Sequence, residues 1–202
     1  MKRESVWLIL LLIGFNATGR GFAQAGERFE TRSVEWPGLG RTTAVCVKKG
    51  GLYVCVLPGG EGVADQSPKV FNEKGEEQPA KLLHCDNESG ICLLESPSGS
   101  EAAILPLAAG ADFHPGQSLL SLLPGAELKT RLAGKDRIYL GKELPAPMLR
   151  LRVEQGYDWQ PGTPVINKEG ELEGIMASRK LPRANEAHAV PADVIRKVIN
   201  DV

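Results

Sequence analysis

Short apolar runs that recur at close intervals constrain the fold of this chain more than any other feature. From Thr43 onward they are separated by Gly, Pro, Asp and Asn. They recur roughly every 8–12 residues, which is typical of an all-β sandwich or barrel. The predicted strands are Thr43–Val47, Leu52–Leu57, Lys69–Asn72, Ala80–His84, Ile91–Glu95, Leu119–Leu123, Leu128–Leu132, Ile138–Leu140, Met148–Val153, Pro164–Asn167, Leu172–Ala177 and Ala187–Val190.

Two other segments organise these strands. Ser96–Gly110 is rich in Ser, Pro, Gly and Ala, and it separates five of the predicted strands from the other seven, or about six on either side. Ala192–Val202 has its apolar residues on one face of a helix, and Pro191 suits the first turn of that helix. We therefore predict two six-stranded halves, residues 26–95 and 111–202, joined by a linker over residues 96–110 and closed by a C-terminal helix.

The first 25 residues have the pattern of a cleavable secretory signal peptide. Lys2 and Arg3 precede the apolar run Val6–Phe15, and an Ala-Gln-Ala sequence ends at Ala25. A run of about ten residues is too short to cross a hydrocarbon core about 30 Å thick, which disfavours a membrane anchor. We expect export to a periplasmic or extracellular compartment, with no membrane anchor after cleavage.

Composition argues against several kinds of partner. The formal net charge is −1, and no block of basic residues is present, so neither nucleic acid nor an anionic membrane is expected to bind. The three histidines, His84, His114 and His188, are far apart in sequence. A lone histidine is more often structural or solvated than functional. We therefore predict no metal site and no other cofactor.

Four cysteines follow the leader, and an even number in an oxidising compartment predicts disulfides. Cys46 and Cys55 flank Gly50-Gly51, which suits a two-residue hairpin turn that places the two cysteines opposite each other. Cys85 and Cys92 are opposed in the same way across a second turn. Directly opposed residues lie within disulfide reach, so two local bridges are favoured. Bridges between the hairpins, or four free thiols, are the alternatives.

Four segments share their order and spacing with a known family. Pro164–Ile175 (PVINKEGELEGI) matches the Pro-Leu-Val-Asn, turn and Gly-Ile strand that follow Gly-Asn-Ser-Gly-Gly there. Ala80–Glu95 matches a hairpin ending in Asp-Leu-Ala-Val-Leu-Lys, Pro115–Gly125 the opening strand of a second barrel, and Ala187–Pro191 a closing strand before a helix. In these segments, over roughly Thr43 to Val202, the chain resembles trypsin-like serine proteases of the HtrA type. The resemblance implies an all-β fold of two six-stranded β-barrels with a C-terminal helix.

The resemblance also implies where a catalytic triad should lie, and unsuitable residues occupy those positions. Aligned on Pro164, the nucleophilic serine is replaced by Pro161, which lacks both a hydroxyl and a backbone N–H. Gly90 replaces the aspartate, and the histidine should fall within Gly62–Gln66, which contains none. Trp159 takes the position of the first oxyanion-hole glycine. The resemblance therefore implies a protease fold without its triad.

Residues around the degenerate site are candidates for binding. Gly162 and Thr163 take the Gly-Gly positions, and Thr163 is interpreted as a turn residue because no base is available to activate its hydroxyl. Tyr157 and Trp159 either line a recognition pocket or pack in the second barrel, with packing favoured. Arg179 follows the strand that by resemblance flanks a bound peptide, where it would favour an acidic ligand or lie on a solvated loop.

Three functions remain open from the sequence. The favoured one is an exported, non-catalytic pseudoprotease that binds an extended peptide or a protein, or acts as a scaffold. Peptide capture by a strand edge needs main-chain hydrogen bonds and side-chain pockets but no nucleophile. The alternatives are an active secreted serine endopeptidase with a divergent site, and a structural envelope protein. An active enzyme would require a histidine within about 3.2 Å of a serine hydroxyl.

Overall fold

A computed structural model describes residues 29–58, 67–97, 104–110, 113–123, 126–139, 145–153, 159–177 and 185–202. The predicted leader, residues 1–25, lies outside this part of the chain. No helix in the described ranges is long and apolar enough to span a bilayer. The elements are β1 Thr31–Trp36, β2 Gly40–Lys48, β3 Leu52–Val56, β4 Lys69–Phe71, β5 Glu77–Gln78, β6 Lys81–Cys85, β7 Ile91–Glu95, β8 Ser118–Leu123, β9 Ala126–Tyr139, β10 Pro145–Val153, β11 Pro164–Ile166, β12 Leu172–Met176, β13 Glu186–Pro191 and α1 Ala192–Asn200.

The strands form two antiparallel sheets, one in each predicted half. The first has the order β5-β4-β1-β2-β3-β7-β6. The second is a closed six-stranded barrel with the order β10-β13-β12-β11-β8-β9. The prediction of an all-β double-barrel fold with a C-terminal helix is confirmed. In the first half the described strands number seven, and the edge strands β5 and β6 do not pair with each other.

The sequence pattern misses β1 and divides β9 wrongly. Strand β1 places every second residue inward, but one of these is Arg32, which disguises the apolar alternation. The Arg32 side chain is buried because it donates hydrogen bonds to the Tyr53 hydroxyl and the Pro97 carbonyl and pairs with Glu30. Strand β9 is one long strand where two short ones are predicted.

The core consists of three apolar clusters, one within each half and one between them. One fills the interior of the first half around Trp36 and Tyr53, and another fills the second barrel around Leu128 and Leu149. The third lies between the halves and takes residues from both sheets, from residues 104–110 and from α1. Its buried members are Val45, Val54, Val56, Ile91, Leu93, Leu105, Leu120, Leu122, Met148, Ile166, Leu172, Ile175, Ala177, Val190, Ile195 and Val198.

One of the two predicted disulfides is formed. Cys85 and Cys92 face each other on β6 and β7 and are bonded. The expected Cys46–Cys55 bridge is wrong, because both thiols are free and buried. The turn takes three residues, 49–51, instead of the predicted two, and a bulge at Val47 shifts the register once more, so that Cys46 lies opposite Tyr53. An extra residue on one strand of a hairpin changes every pairing beyond it.

The structure predicts two free thiols and one disulfide, which chemical modification of the cysteines can check. Burial raises the pKa of the Cys55 and Cys46 thiols, which keeps them protonated and poor nucleophiles for exchange with the neighbouring disulfide. When the protein is unfolded without reductant and treated with N-ethylmaleimide at mildly acidic pH, mass spectrometry should show modification at these two cysteines only. Prior reduction should expose all four. Absence of modification before reduction would contradict two free thiols.

Candidate functional site

The turn before β11 joins the second barrel to the first half. The Pro161 carbonyl accepts hydrogen bonds from the Thr43 backbone N–H at 2.9 Å and from the Thr42 hydroxyl at 2.8 Å. Both donors belong to β2 in the first sheet. The residue at the predicted serine position therefore connects the two halves through its main chain, and its side chain offers no reactive group.

The backbone N–H groups of the two residues after Pro161 are also hydrogen-bonded within the protein. Gly162 has a φ of +85°, and its N–H donates to the Met176 carbonyl at 2.9 Å. The Thr163 N–H and hydroxyl both donate to the Gln160 carbonyl, at 3.1 and 2.7 Å. Since Pro161 has no N–H, no main-chain donor from 161 to 163 is left for an oxyanion. The Thr163 hydroxyl closes the turn.

Of the two aromatic candidates, one is described. Trp159 is partly buried and packs against the apolar interior of the second barrel. This is the packing role that the sequence favours over a pocket-lining role. Tyr157 and Arg179 lie outside the described residues, as does the Gly62–Gln66 stretch predicted to lack the histidine. Roles for those positions stay predictions.

Gly90, at the predicted aspartate position, closes the β6–β7 hairpin. It is buried with a φ of +70°, its N–H donates to the Asp86 carbonyl, and its carbonyl accepts from the Leu57 N–H, both at 2.8 Å. The nearby Asp86 carboxylate accepts from the Ser89 N–H and hydroxyl within the same turn. This carboxylate is thus occupied in holding the hairpin.

The three histidines lie apart in the fold. His84 is exposed on β6, and His114 is exposed ahead of β8. His188 is buried on β13, with its Nε2 3.1 Å from the Asp136 carboxylate on β9. Within the described ranges, none forms a hydrogen bond with a serine hydroxyl. Sequence reasoning misses the His188–Asp136 pair because its members are far apart along the chain.

A cleft of about 620 Å³ lies between the halves beside the Pro161 turn. Thr43, Gln160 and Pro164 line it next to the turn. Its other lining residues are the apolar Phe29, Val45, Leu105, Leu122 and Leu123 and the polar Thr31, Arg32, Ser33, Asn72 and Glu73. Thr31 and Arg32 pair with β2 on one side, but β4 pairs with β1 only from Ser33 to Glu35, so in the described part of the chain the opposite edge at Thr31 and Arg32 has no partner strand.

The likeness of this chain to known proteins lies in its fold and not in its sequence. No family model and no curated protein sequence matches the chain. The active form of the Rv3671c protease from M. tuberculosis matches with a TM-score of 0.69 and 14% identity over 88% of this chain and 82% of that chain. Its inactive form matches with a TM-score of 0.66 and 14% identity, over 85% and 88% of the two chains.

A serine-to-alanine mutant of the same protease from M. tuberculosis H37Rv, also in the inactive form, gives a TM-score of 0.67 and 15% identity over 85% of each chain. At such low identity the likeness shows the fold alone. That fold is the trypsin-like double barrel implied by the sequence resemblance.

Proposed function

We propose that this chain is an exported, non-catalytic binding protein that holds an extended peptide in the cleft between its two halves. The observation that carries the proposal is the state of the Pro161 turn. Acyl transfer at this position needs a nucleophile and free N–H donors. Pro161 supplies neither, and the N–H groups of Gly162 and Thr163 are already bonded.

The cleft has the features that peptide capture requires. A main-chain edge is available on β1 at Thr31 and Arg32, where a peptide can add as a further strand. The apolar side chains of Leu122, Leu123 and Pro164 line the same cleft and offer contacts for alternate side chains of that peptide. Neither feature depends on a catalytic residue.

Export is supported by two independent features. The leader pattern over residues 1–25 is that of a secretory signal. The Cys85–Cys92 disulfide fits an oxidising compartment, because stable disulfides are rare in the cytosol. Together they favour a periplasmic or extracellular location for the peptide-binding protein.

The absence of catalysis is tested by restoring the serine. The Pro161→Ser variant should show no hydrolysis of fluorescent casein and no labelling by a fluorophosphonate probe, because it gains a hydroxyl without a base to activate it. The wild-type chain is the matched comparison, and trypsin confirms that both assays work. Labelling or hydrolysis by the variant above the wild-type level would overturn the non-catalytic assignment.

Peptide binding is tested with a defined library of unstructured peptides displayed on phage. Selected sequences, synthesised and titrated by fluorescence anisotropy, should bind the wild-type chain at least tenfold more tightly than the Leu123→Arg variant, whose new side chain obstructs the cleft. Leu39→Arg, in the exposed turn between β1 and β2, is the control and should bind normally. Equal binding by both variants would place the peptide elsewhere and refute the proposed cleft.

A further inference from the structure

Two arginines lie directly opposite each other on the second barrel. Arg131 of β9 pairs in register with Arg152 of β10, and both side chains are exposed. Like charges in directly opposed positions of a sheet destabilise it. Among the residues that the structure describes, neither guanidinium forms an ion pair or a hydrogen bond. The direct opposition of the two guanidinium groups is therefore unfavourable, and an anion between them would offset it.

A third cation extends the same surface. Lys129 lies two residues before Arg131, on the same face of β9, and likewise has no ion pair within the described ranges. Two carboxylates are near in the sheet, Glu127 on β9 and Glu186 opposite Arg152 on β13. Each of these carboxylates is engaged in an interaction, and Glu127 also lines the cavity described below. Three cations therefore share this surface with two carboxylates, which leaves it with a net positive charge.

The three cations line a cavity of about 550 Å³, termed here the barrel pocket. Its remaining lining residues are Ser118, Leu119, Leu120, Glu127, Thr130, Val153 and Asn185. More than half of its surface is apolar, and its volume falls within the range of about 300–1,000 Å³ typical of small-molecule sites. It shares no lining residue with the cleft between the halves.

We propose that the barrel pocket binds a small amphiphilic anion, an apolar group that ends in a carboxylate or a phosphate. The apolar group would contact Leu119, Leu120 and Val153. Arg131 and Arg152 would receive the anionic head, because a planar guanidinium offers paired N–H donors that match the oxygens of carboxylate and phosphate. The bound anion offsets the repulsion between the two arginines. This site is independent of the proposed peptide-binding function.

The ligand class is tested by isothermal titration of the leader-free protein. Octanoate and octyl phosphate, below their micellar concentrations, should each bind saturably with a one-to-one stoichiometry, and their relative affinities distinguish the two head groups. Octanol, octyltrimethylammonium and inorganic phosphate should each bind at least tenfold more weakly, because each lacks either the anionic head or the apolar chain. Equal binding of octanol would refute the role of the arginines, and equal binding of inorganic phosphate would refute the apolar contact.

The location is tested by neutralising one arginine at a time. Arg131→Gln and Arg152→Gln should each weaken octyl phosphate binding by about tenfold or more, and each should raise the melting temperature of the ligand-free protein by relieving repulsion. Lys168→Gln, in the exposed β11–β12 turn, is the control and should change neither quantity. Unchanged affinity in both arginine variants would refute the site. A lower melting temperature would show that the arginines have a structural role instead.

Discussion

Replacing Gly162 with alanine is expected to lower the free energy of unfolding by about 4 kcal/mol. The φ of +85° strains any residue with a side chain. In addition, a Cβ atom there would lie 2.5 Å from the Thr42 hydroxyl oxygen and 2.7 Å from the Thr43 nitrogen. Both atoms belong to β2, and the same two residues donate hydrogen bonds to the Pro161 carbonyl. The added methyl group therefore forces the two halves apart at the proposed binding site.

A second glycine separates strain from steric contact in the same experiment. Gly170 has a nearly identical φ of +82°, but a Cβ atom there would have nothing within 4 Å. Gly170→Ala should therefore lose only the backbone contribution, about 1–2 kcal/mol. Equilibrium unfolding in urea measures both variants. If the two substitutions cost the same, the close approach between Gly162 and β2 is not a significant constraint.

The second large effect is expected for Leu105→Ala, with a loss of roughly 3–5 kcal/mol. Leu105 is completely buried in the cluster between the halves, and its N–H donates to the Cys46 carbonyl at 2.9 Å. Removing its side chain leaves a cavity that borders both sheets. Urea unfolding should show the loss as a lower midpoint.

The fluorescence of two tryptophans can show whether both halves lose stability when Leu105 is replaced. Trp36 lies in the first interior cluster, and Trp159 packs against the second barrel. Single-tryptophan versions of Leu105→Ala should show the same lowered midpoint with either reporter, whereas Leu39→Ala, at an exposed turn, should change stability by less than about 0.5 kcal/mol. Destabilisation seen by one reporter only would mean that Leu105 supports one half alone.

The sequence predicts the fold class well because alternation and turn residues are local signals. The short runs and the amphipathic end of the chain correspond to strands and to α1. Strand register is harder to predict from the sequence, because it depends on bulges that have no local sequence signal. Gly50 and Gly51 lie in the hairpin turn, but the turn also includes Lys49, and this longer turn and the extra residue at Val47 together separate Cys46 from Cys55.

The candidate sites were predictable only where a family motif marks them. Pro161 and Gly90 can be placed because the residues after them resemble conserved protease segments. The cleft and the barrel pocket combine residues from distant strands. The opposition of Arg131 and Arg152, for example, follows from the pairing of β9 with β10 and its register shift near Arg150. Although β9 and β10 are consecutive strands, this opposition depends on a register that no local pattern specifies.

The bonded turn at Pro161 has a consequence for how this chain balances stability against activity. Active sites keep donors unbonded and backbone strained, and the rest of the protein must compensate for that instability. Here the corresponding turn links both halves through Thr42 and Thr43, and every N–H from 161 to 163 is either missing or bonded. In this chain the turn contributes to stability by linking the two halves. If the chain is non-catalytic, as we propose, substitutions there are constrained by the contact between the halves and not by chemistry.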